Sequence, residues 1–425
     1  MKIELFAPPF SGHLHPILAI AQALAHTHEV KVLSTPSVQG AIKACGLQGE
    51  SILTVADEAL LWAIANTPQA VKAKPLQLHK QLQQALRLMV QLRAELQQRW
   101  AQQRPDLVIA DFTLPAAGLL ALELGIPWWT SLPSPCVLES PDGPPAYLGG
   151  LMPARHVGHR AVFGLARLVT RGFKRGMHAW FRREMVALGL PALYRADGSE
   201  AVYSPQCILA LGVKELEFER SWPAPLHFVG PMLCTPTNTH PAPPFQPGKR
   251  HLLVTAGTHL EWAKQGLFEA ARELARRHCD WVVHVSDGQV HQPSANQTQD
   301  LPNLQRLPFV DYERHLRGYD LLLHHGGAGV MHHAIQAGIP SLVHPLDYDQ
   351  FDHAARLQAQ GAGLWLKRLE DLPATFARVL REPHLFDGLS KLQQTVRQQV
   401  GARRVEDLVS QEAQNQAQKR SSTYI

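Results

Sequence analysis

The sequence of 425 residues lacks the long apolar run that a membrane-spanning helix requires. No stretch of about 18 consecutive apolar residues occurs, and the amino terminus has no apolar segment of signal-peptide length before Pro8 and Pro9. The five cysteines are far apart and never form a CxxC pair, which argues against a disulfide framework and a zinc-ribbon site. These absences predict a soluble protein of the cytoplasm.

Charged residues are also scarce, at 18% of the chain, whereas hydrophobic residues make up 45%. This composition argues against disorder and is sufficient for large buried cores. The length of the chain is typical of two domains. The formal net charge of +5 is mild, so it matters only where the excess is clustered. No nucleic-acid-binding module or groove motif of basic and aromatic residues occurs, which argues against nucleic acid as a partner.

Strand and helix patterns alternate from the amino terminus onward. The apolar run at 3–9 ends in prolines and predicts a buried strand. Pro16 then predicts the start of a helix, because apolar residues from Ile17 to Leu24 recur at helical spacing. A second strand is predicted at 29–36. This order indicates a βαβ unit and a parallel sheet.

The pattern is interrupted once and then restarts. The segment CTPTNTHPAPPFQPGK is dense in proline and threonine, which is typical of a linker. The sequence therefore predicts an α/β domain at 1–233, a linker at 234–249, a second α/β domain at 250–385, and a C-terminal helix with a loose polar tail at 386–425. Two doubly wound domains of this kind bind ligands in a cleft at the carboxyl ends of their strands.

A glycine-rich turn is the strongest local signal in the second half. In LLLHHGGAGVMHHAIQAGIP (321–340), a predicted strand leads through Gly326, Gly327 and Gly329 into a helix. Glycines allow close backbone approach, and a helix N-terminus offers free N–H groups and positive dipole. The turn therefore suits a pyrophosphate, although a tight turn inside a core has the same pattern.

The same stretch contains four histidines in two adjacent pairs, His324 with His325 and His332 with His333. Neighbouring residues on a helix point about 100° apart, and no carboxylate lies between the pairs. The pattern therefore argues against a metal site.

A carboxylate and an amide, Asp349 and Gln350, follow the next predicted strand at the carboxyl edge of the sheet. Both side chains accept hydrogen bonds and glutamine also donates, so together they can hold vicinal sugar hydroxyls. Their position behind the glycine-rich turn indicates a site for a phosphate-linked sugar.

Six segments, in order, resemble the motifs of the family-1 glycosyltransferases of the GT-B fold, a group that includes bacterial macrolide and antibiotic enzymes and plant flavonoid enzymes. The segments are FAPPFSGHLHPILAIAQAL, RPDLVIADFTLPAAGLLALELGIPW, FVGPM, LLVTAGT, LPFVDYERHL and HHGGAGVMHHAIQAGIPSLVHPLDYDQ, and they span nearly the whole chain. The resemblance implies two Rossmann-like, doubly wound domains facing a central cleft. The first would bind the acceptor and the second a nucleotide sugar.

The resemblance also implies a catalytic pair in the first domain. His13 matches the base that deprotonates the acceptor hydroxyl, and Asp111 matches the aspartate that orients this base, as in a His–Asp dyad. A position just ahead of a helix should disfavour the charged form of His13 and keep its ring neutral. His15 is the nearest rival for the role, and His13 or Asp111 could instead cap a helix.

The donor-binding residues implied by the resemblance lie in the second domain. His325 matches the residue that contacts the pyrophosphate, in a loop shaped by Gly326, Gly327 and Gly329. The other matches are Gly257 and Thr258 beside the phosphates, Phe309 stacked on the nucleobase, Val310 bonding the base edge through its backbone, and Asp349 and Gln350 on the sugar.

Three departures from the family pattern stand out. Val330 replaces the serine or threonine of many relatives, so one hydroxyl contact to phosphate is missing. His333 replaces the glutamate that binds ribose in the plant enzymes, which leaves the choice between uridine and thymidine nucleotides open. Asp311 and Tyr312 replace the usual Pro-Gln pair.

The reaction that the resemblance implies is inverting transfer of a sugar, with glucose favoured, from a UDP- or dTDP-sugar to a hydroxyl of a hydrophobic small molecule. No cofactor and no metal is expected, because the family does not need Mg²⁺. One alternative is a membrane-associated transferase with a lipid or carotenoid acceptor. Another is a non-catalytic helper of the same fold, against which the intact His13 and Asp111 argue. A sugar-nucleotide epimerase would need extra acids around the sugar, and none could be assigned.

One basic segment lies outside these motifs. Residues 154–183 carry eight arginine or lysine side chains and no acidic residue, with apolar residues at helical spacing. Such a helix can lie on anionic lipid, which would place the protein at the inner face of the membrane. The competing interpretation, which we favour from sequence alone, is a surface helix whose apolar face packs into the core.

Overall fold

The structure is a computed structural model, and it describes residues 1–66, 75–236, 240–289 and 301–422. The described residues form two sheets in which all strands are parallel, in agreement with the predicted α/β class. Among them, no helix combines the length and the apolar character needed to cross a bilayer.

The first sheet is built from the amino-terminal half. Its strands are β1 (Lys2–Phe6), β2 (Glu29–Ser34), β3 (Gln48–Ser51), β4 (Leu107–Asp111), β5 (Trp128–Leu132), β6 (Cys207–Ala210) and β7 (Leu226–Phe228). The helices of this half are α1 (Ser11–Leu24), α2 (Gln39–Ala44), α3 (Val55–Ala65), α4 (Pro75–Gln102), α5 (Pro115–Glu123), α6 (Val157–Trp180) and α7 (Arg182–Leu188). The strand order is β3-β2-β1-β4-β5-β6-β7.

The second sheet follows the predicted linker. Its strands are β8 (Arg250–Thr255), β9 (Trp281–Ser286), β10 (Leu304–Leu307), β11 (Leu321–His324), β12 (Ser341–Val343) and β13 (Gly363–Trp365), in the order β10-β9-β8-β11-β12-β13. The helices are α8 (Glu261–Arg277), α9 (Tyr312–His315), α10 (Ala328–Ala337), α11 (Gln350–Ala359), α12 (Leu372–Arg381), α13 (Asp387–Gln398) and α14 (Gly401–Ser422). Of the predicted linker, 234–236 and 240–249 carry no helix or strand, and 237–239 lie outside the described residues.

Both sheets reverse their strand order beside the first strand of each half. β1 pairs with β2 on one side and β4 on the other, and β8 pairs likewise with β9 and β11. Loops at such a switch point diverge above the carboxyl edge of the sheet and leave a crevice. The loops after β1, β4, β8 and β11 therefore supply the residues to be considered as a site.

Helix α1 begins earlier than the sequence indicates. It starts at Ser11, and Pro16 lies inside it rather than at its first turn. The predicted start at Pro16 was wrong. Proline favours the first position of a helix, but it also occurs further along a helix, where one backbone hydrogen bond is lost. His13 consequently lies in the first turn of the helix and not in the loop ahead of it.

The carboxyl terminus also differs from its prediction. Two helices, α13 and α14, replace the single expected helix, and α14 returns to the first half of the chain. Val405 and Val409 of α14 are fully buried in the same hydrophobic cluster as Ile3 and Ile17. The tail predicted to be loose is helical through Ser422, and 423–425 lie outside the described residues. The carboxyl terminus thus ties the two halves together.

Candidate active site

Two adjoining pockets open between the halves. One, of about 900 Å³, is lined by the loops after β8 and β11, and we call it the loop pocket. The other, of about 1150 Å³, contains His13, and we call it the dyad pocket. The residues that line both are Gly12, His259, His325, Gly327 and Ala328. Ligand groups in the two pockets can therefore meet at this shared wall.

His13 and Asp111 form a hydrogen-bonded pair in the dyad pocket. The Nδ1 atom of His13 lies 3.0 Å and 3.1 Å from the two carboxylate oxygens of Asp111. The His13 side chain is 27% exposed and that of Asp111 is fully buried. Thr113 fixes the carboxylate by donating from its backbone N–H at 2.9 Å and its hydroxyl at 2.5 Å. Donation from Nδ1 to Asp111 leaves Nε2 of His13 to accept a proton.

The pKa of His13 shifts in the direction opposite to the sequence expectation, which was that the helix would favour the neutral ring. Burial alone would lower the pKa of His13, but the Asp111 carboxylate acts through its charge and its hydrogen bond. With a smaller contribution from the charge of Asp349, the net result is that the pKa of His13 is raised above its ordinary value. The Asp111 carboxylate affects the pKa of His13 more than the helix dipole does, because the carboxylate is in direct contact with the ring.

His15 faces away from this pair. It lies two residues further along α1, a rotation of about 200°, and it lines the loop pocket rather than the dyad pocket. Burial lowers the pKa of His15 to about 4, although the charge of Asp311 partly opposes this. His15 therefore lacks the carboxylate partner that makes His13 a better base.

His325 stands in the wall that the two pockets share. It directly follows β11, and α10 begins three residues later with Gly327 as its N-cap. Burial lowers the pKa of His325 to about 4, partly offset by a hydrogen bond to the backbone of Thr255. The ring is therefore neutral near pH 7, and it stands beside the positive end of a helix dipole.

The glycines around His325 have different structural roles. A Cβ atom on Gly257, where φ is +73°, would lie 2.7 Å from the His325 ring, and one on Gly327 would lie 2.5 Å from it. Gly326, with φ of +89°, is buried and packs against the backbone of Gln350. Gly329 lines the loop pocket and has open space beside it. Three of the four predicted glycines thus line the cavity, and Gly326 shapes the turn behind it.

The predicted nucleobase residues divide between pocket and core. Phe309 lines the loop pocket together with Thr258, and its ring lies 5.5 Å from that of His240. Val310 is buried in the hydrophobic cluster behind the pocket and its side chain does not line it. The predicted base contact through the Val310 backbone stays a prediction.

Asp349 and Gln350 both line the dyad pocket, as His13 does. The amide oxygen of Gln350 accepts hydrogen bonds from the backbone N–H groups of Leu346 and Asp347, at 2.9 Å and 3.1 Å. That oxygen is thus already engaged, and the NH₂ group of Gln350 is the part that can reach a sugar hydroxyl. The Asp349 carboxylate is 22% exposed.

His259 is a site residue that the sequence analysis missed. It lines both pockets, and its ring stacks on Trp62 at 5.2 Å and meets Phe10 edge-on at 4.9 Å. Burial, with the nearby charges of His13 and His325, lowers the pKa of His259 to about 3. Its position directly after the Gly257–Thr258 pair was the one signal available. The contact joins the two halves at the cleft.

Backbone strain marks the same place independently. Among the described residues, four that are not glycine have a left-handed backbone, and three of them, Tyr147, Leu260 and Tyr348, line the dyad pocket. Such residues are costly and persist mainly where the surrounding structure requires them, often at functional sites. The dyad pocket is thus singled out without reference to any motif.

Three of the residues that depart from the family pattern, Asp311, Tyr312 and His333, lie at or behind the loop pocket. Asp311 caps α9, accepting a hydrogen bond from the backbone of Arg314 at 3.2 Å. The Tyr312 hydroxyl lies 3.1 Å from that of Thr255, and its ring lies 5.8 Å from that of His333. His333 lines the loop pocket, and burial lowers its pKa to about 4.

Metal-binding groups are not assembled within the ranges that the structure describes, where no three His, Cys, Asp or Glu side chains are placed to hold an ion. The sequence has an Asp-x-Asp spacing at Asp347 and Asp349. Of the two, Asp349 lines the dyad pocket, whereas Asp347 is buried and accepts a hydrogen bond from the backbone of Tyr348 at 3.0 Å.

Comparison with known proteins finds similarity in the second half and across most of the chain. Residues 275–405 match the family described as erythromycin biosynthesis protein CIII-like, C-terminal domain. The chain is 25% identical over 412 residues to 4'-demethylrebeccamycin synthase of Lentzea aerocolonigenes, covering 90% of this chain and 92% of the relative.

Solved structures share the whole architecture. The glycosyltransferase of kitacinnamycin superimposes with a TM-score of 0.71 at 22% identity, covering 96% of this chain and 98% of that one. The glycosyltransferase VinC in complex with dTDP gives 0.66 at 21% identity, covering 96% and 99%. The fold, the matched domain and the near full-length relative together support a family-1 glycosyltransferase of the GT-B fold.

Proposed function

We propose that the protein transfers a sugar, with glucose the favoured one, from a UDP- or dTDP-sugar to a hydroxyl of a hydrophobic small molecule or natural product, with inversion and without a metal. The observation that carries the proposal is the shared wall. His13 lines the dyad pocket with the buried Asp111 hydrogen-bonded behind it, the glycine loop lines the loop pocket, and His325 lines both. This arrangement would let a base and a diphosphate meet at one wall.

The chemical step follows from this arrangement. Nε2 of His13 takes the proton of the acceptor hydroxyl, and the oxygen attacks the anomeric carbon as the bond to the diphosphate breaks. Asp111 stabilises the imidazolium that forms. The nucleoside diphosphate leaves with the electron pair, and the neutral His325 and the N-terminus of α10 stabilise its charge by N–H donation. Attack from the side opposite the leaving group inverts the anomeric configuration.

Asp349 and the NH₂ group of Gln350 would position the sugar through hydrogen bonds. Both lie in the dyad pocket, next to the wall where the diphosphate would end. The acceptor would occupy the remainder, whose walls include Phe10, Phe112 and Tyr147. These aromatic walls suit a hydrophobic aglycone.

The donor nucleotide is supported by the loop pocket and by one relative. VinC was solved with dTDP and shares the fold over 96% of this chain. His333 and His15 line the loop pocket as neutral rings, and neither carries the charge of the glutamate found in the plant enzymes. We therefore propose both dTDP-sugars and UDP-sugars as donors.

Nucleotide binding tests the proposal before any acceptor is known. Calorimetry with UDP, dTDP and ADP in the presence of EDTA should show binding of UDP or dTDP and a matching rise in the unfolding temperature. Slow hydrolysis of the bound sugar nucleotide would separate an enzyme from a non-catalytic helper. If none of these nucleotides binds, the proposed function is wrong.

Replacement of Val330 by threonine tests the phosphate loop. Val330 lines the loop pocket but is only 5% exposed and also packs in the cluster behind it. A new hydroxyl that reaches phosphate should tighten nucleotide binding by roughly 1.5–3 kcal/mol at most. Calorimetry against Val330→Ala, which removes packing without adding a hydroxyl, separates the two effects. Unchanged or weaker binding by the threonine variant would place the diphosphate elsewhere.

A further inference from the structure

Helix α6 has its apolar face turned away from the protein. The residues on one side of the helix are exposed and almost entirely apolar. They include Val157, Val162, Leu165, Leu168, Val169, Phe173 and Trp180, whose side chains are between 53% and 79% exposed. The sequence interpretation that we favoured, an apolar face packed into the core, is therefore wrong.

The inward face of α6 holds basic side chains beside the buried Phe163. Lys174 contacts the carboxylates of Glu139 and Glu200, each at 2.6 Å, and Arg171 contacts Glu139 at 2.7 Å. Arg167 donates to the backbone carbonyl of Gly143 at 2.7 Å. Ion pairs and hydrogen bonds thus fix the rotation of the helix, and the apolar stripe cannot turn inward without breaking them.

The surroundings of the stripe are positively charged. Arg155, Arg160, Arg175, Arg182 and Arg183 are all exposed. They lie along α6 or just beyond its ends, and no acidic residue occurs from 154 to 183. The helix is about 36 Å long. Single exposed apolar residues are normal on a protein surface, whereas a continuous apolar stripe along such a helix indicates an interaction site.

We propose that this stripe docks on an anionic lipid bilayer. A helix with aromatic and aliphatic side chains on one face and arginines at its edges lies in the interface plane, with its apolar face about 5–10 Å deep. Two copies of the stripe packed together would bring the arginines of both chains into proximity, which is unfavourable. An anionic surface neutralises the same side chains.

The stripe also lies close to the dyad pocket along the chain. Gly143, which α6 holds through Arg167, is four residues from Tyr147, a lining residue of that pocket. Tyr147 in turn donates from its backbone N–H to Asp352 of the second half, at 2.9 Å. A docked α6 would therefore be linked to a wall of the dyad pocket through Gly143 and Tyr147.

Sedimentation with vesicles tests the docking without any acceptor. The full-length protein should bind vesicles that contain phosphatidylglycerol, bind pure phosphatidylcholine vesicles far less, and lose affinity as salt is raised. Arg160→Gln should weaken binding about fivefold, the equivalent of about 1 kcal/mol per cation at the surface. Leu165→Asp with Leu168→Asp should abolish it.

The control is Val400→Asp, which places one aspartate at an exposed apolar position, 58% exposed, outside α6, and is compared with Leu165→Asp alone, which should also weaken binding. Val400→Asp should bind vesicles like the natural protein. Nucleotide affinity of each variant, measured in parallel, reports folding and keeps this question separate from the proposed transferase activity. No binding to anionic vesicles at low salt overturns the proposal. So does dimerisation through the same residues without vesicle binding, which would assign the stripe to a second copy of the chain.

Discussion

Replacing His13 with alanine is expected to lower the transfer rate by roughly 10²–10⁴, the usual contribution of a positioned general base. Nucleotide affinity should stay nearly unchanged, because His13 lines the dyad pocket and not the loop pocket. Steady-state rates with calorimetry on the same samples measure both effects. A variant that keeps near-normal turnover would show that His13 is not the base.

The pH dependence gives this expectation a second readout. The base form of His13 is the neutral ring, so kcat/KM should rise as pH rises through the pKa of His13. Because that pKa is raised by Asp111, the rising limb should lie above the ordinary histidine value of about 6.5. The limb should disappear in His13→Ala.

Asp111→Asn provides the matched control for that limb. It removes the charge that raises the pKa of His13, so the limb should move to lower pH while the rate falls. The double variant His13→Ala with Asp111→Asn should be hardly slower than His13→Ala alone, because Asp111 acts through the histidine. Additive losses would mean that Asp111 has a separate function.

The second large effect is expected at His325. His325→Ala should lower kcat by about 10²–10³, the usual cost of losing one donor to developing charge in a protected site. Burial lowers the pKa of His325 to about 4, so the ring acts as a neutral donor and its loss should affect the rate similarly from pH 6 to pH 8.

His325→Gln is the matched control, since it keeps a donor at that position and should recover part of the rate. Rapid-quench rates and dTDP or UDP affinity together distinguish a charge contact from simple loss of binding. If His325→Ala retains the natural kcat, the diphosphate does not leave against this histidine.

The fold could be predicted from sequence because its strands are buried runs separated by helical patterns. β1 and β2, for example, are largely buried, and the strands predicted at 3–9 and 29–36 overlap them closely. The first turn of α1 was missed because Pro16 gives a stronger local start signal than Ser11. The return of α14 to the first half depends on packing between distant segments, which no local pattern contains.

The site was predictable where residues stand in ordered motifs and not elsewhere. His13, His325, Asp349 and Gln350 line the dyad pocket, and Asp111 is buried behind His13. His259 has only its place after Gly257 and Thr258 as a local signal, since its contacts are with Trp62 and Phe10 in the other half. The raised pKa of His13 likewise depends on a contact across 98 residues of sequence.

The α6 stripe shows a different limit of sequence patterns. Helical spacing identified its apolar face correctly but could not indicate where that face points. Its orientation is fixed by Glu139 and Glu200, which hold the cationic side inward. Neither acid lies within the helix, so the orientation could be found only in the folded chain.

The most direct test of the account is the product formed from an α-linked UDP- or dTDP-sugar and a panel of hydrophobic hydroxyl compounds, with EDTA present. The anomeric configuration of any glycoside is read by NMR, for the natural protein and for His13→Ala. We expect a β-linked product from the natural protein, and from His13→Ala a rate lower by the factor given above despite normal nucleotide binding. A product of retained configuration, or equal product from both proteins, would contradict the account.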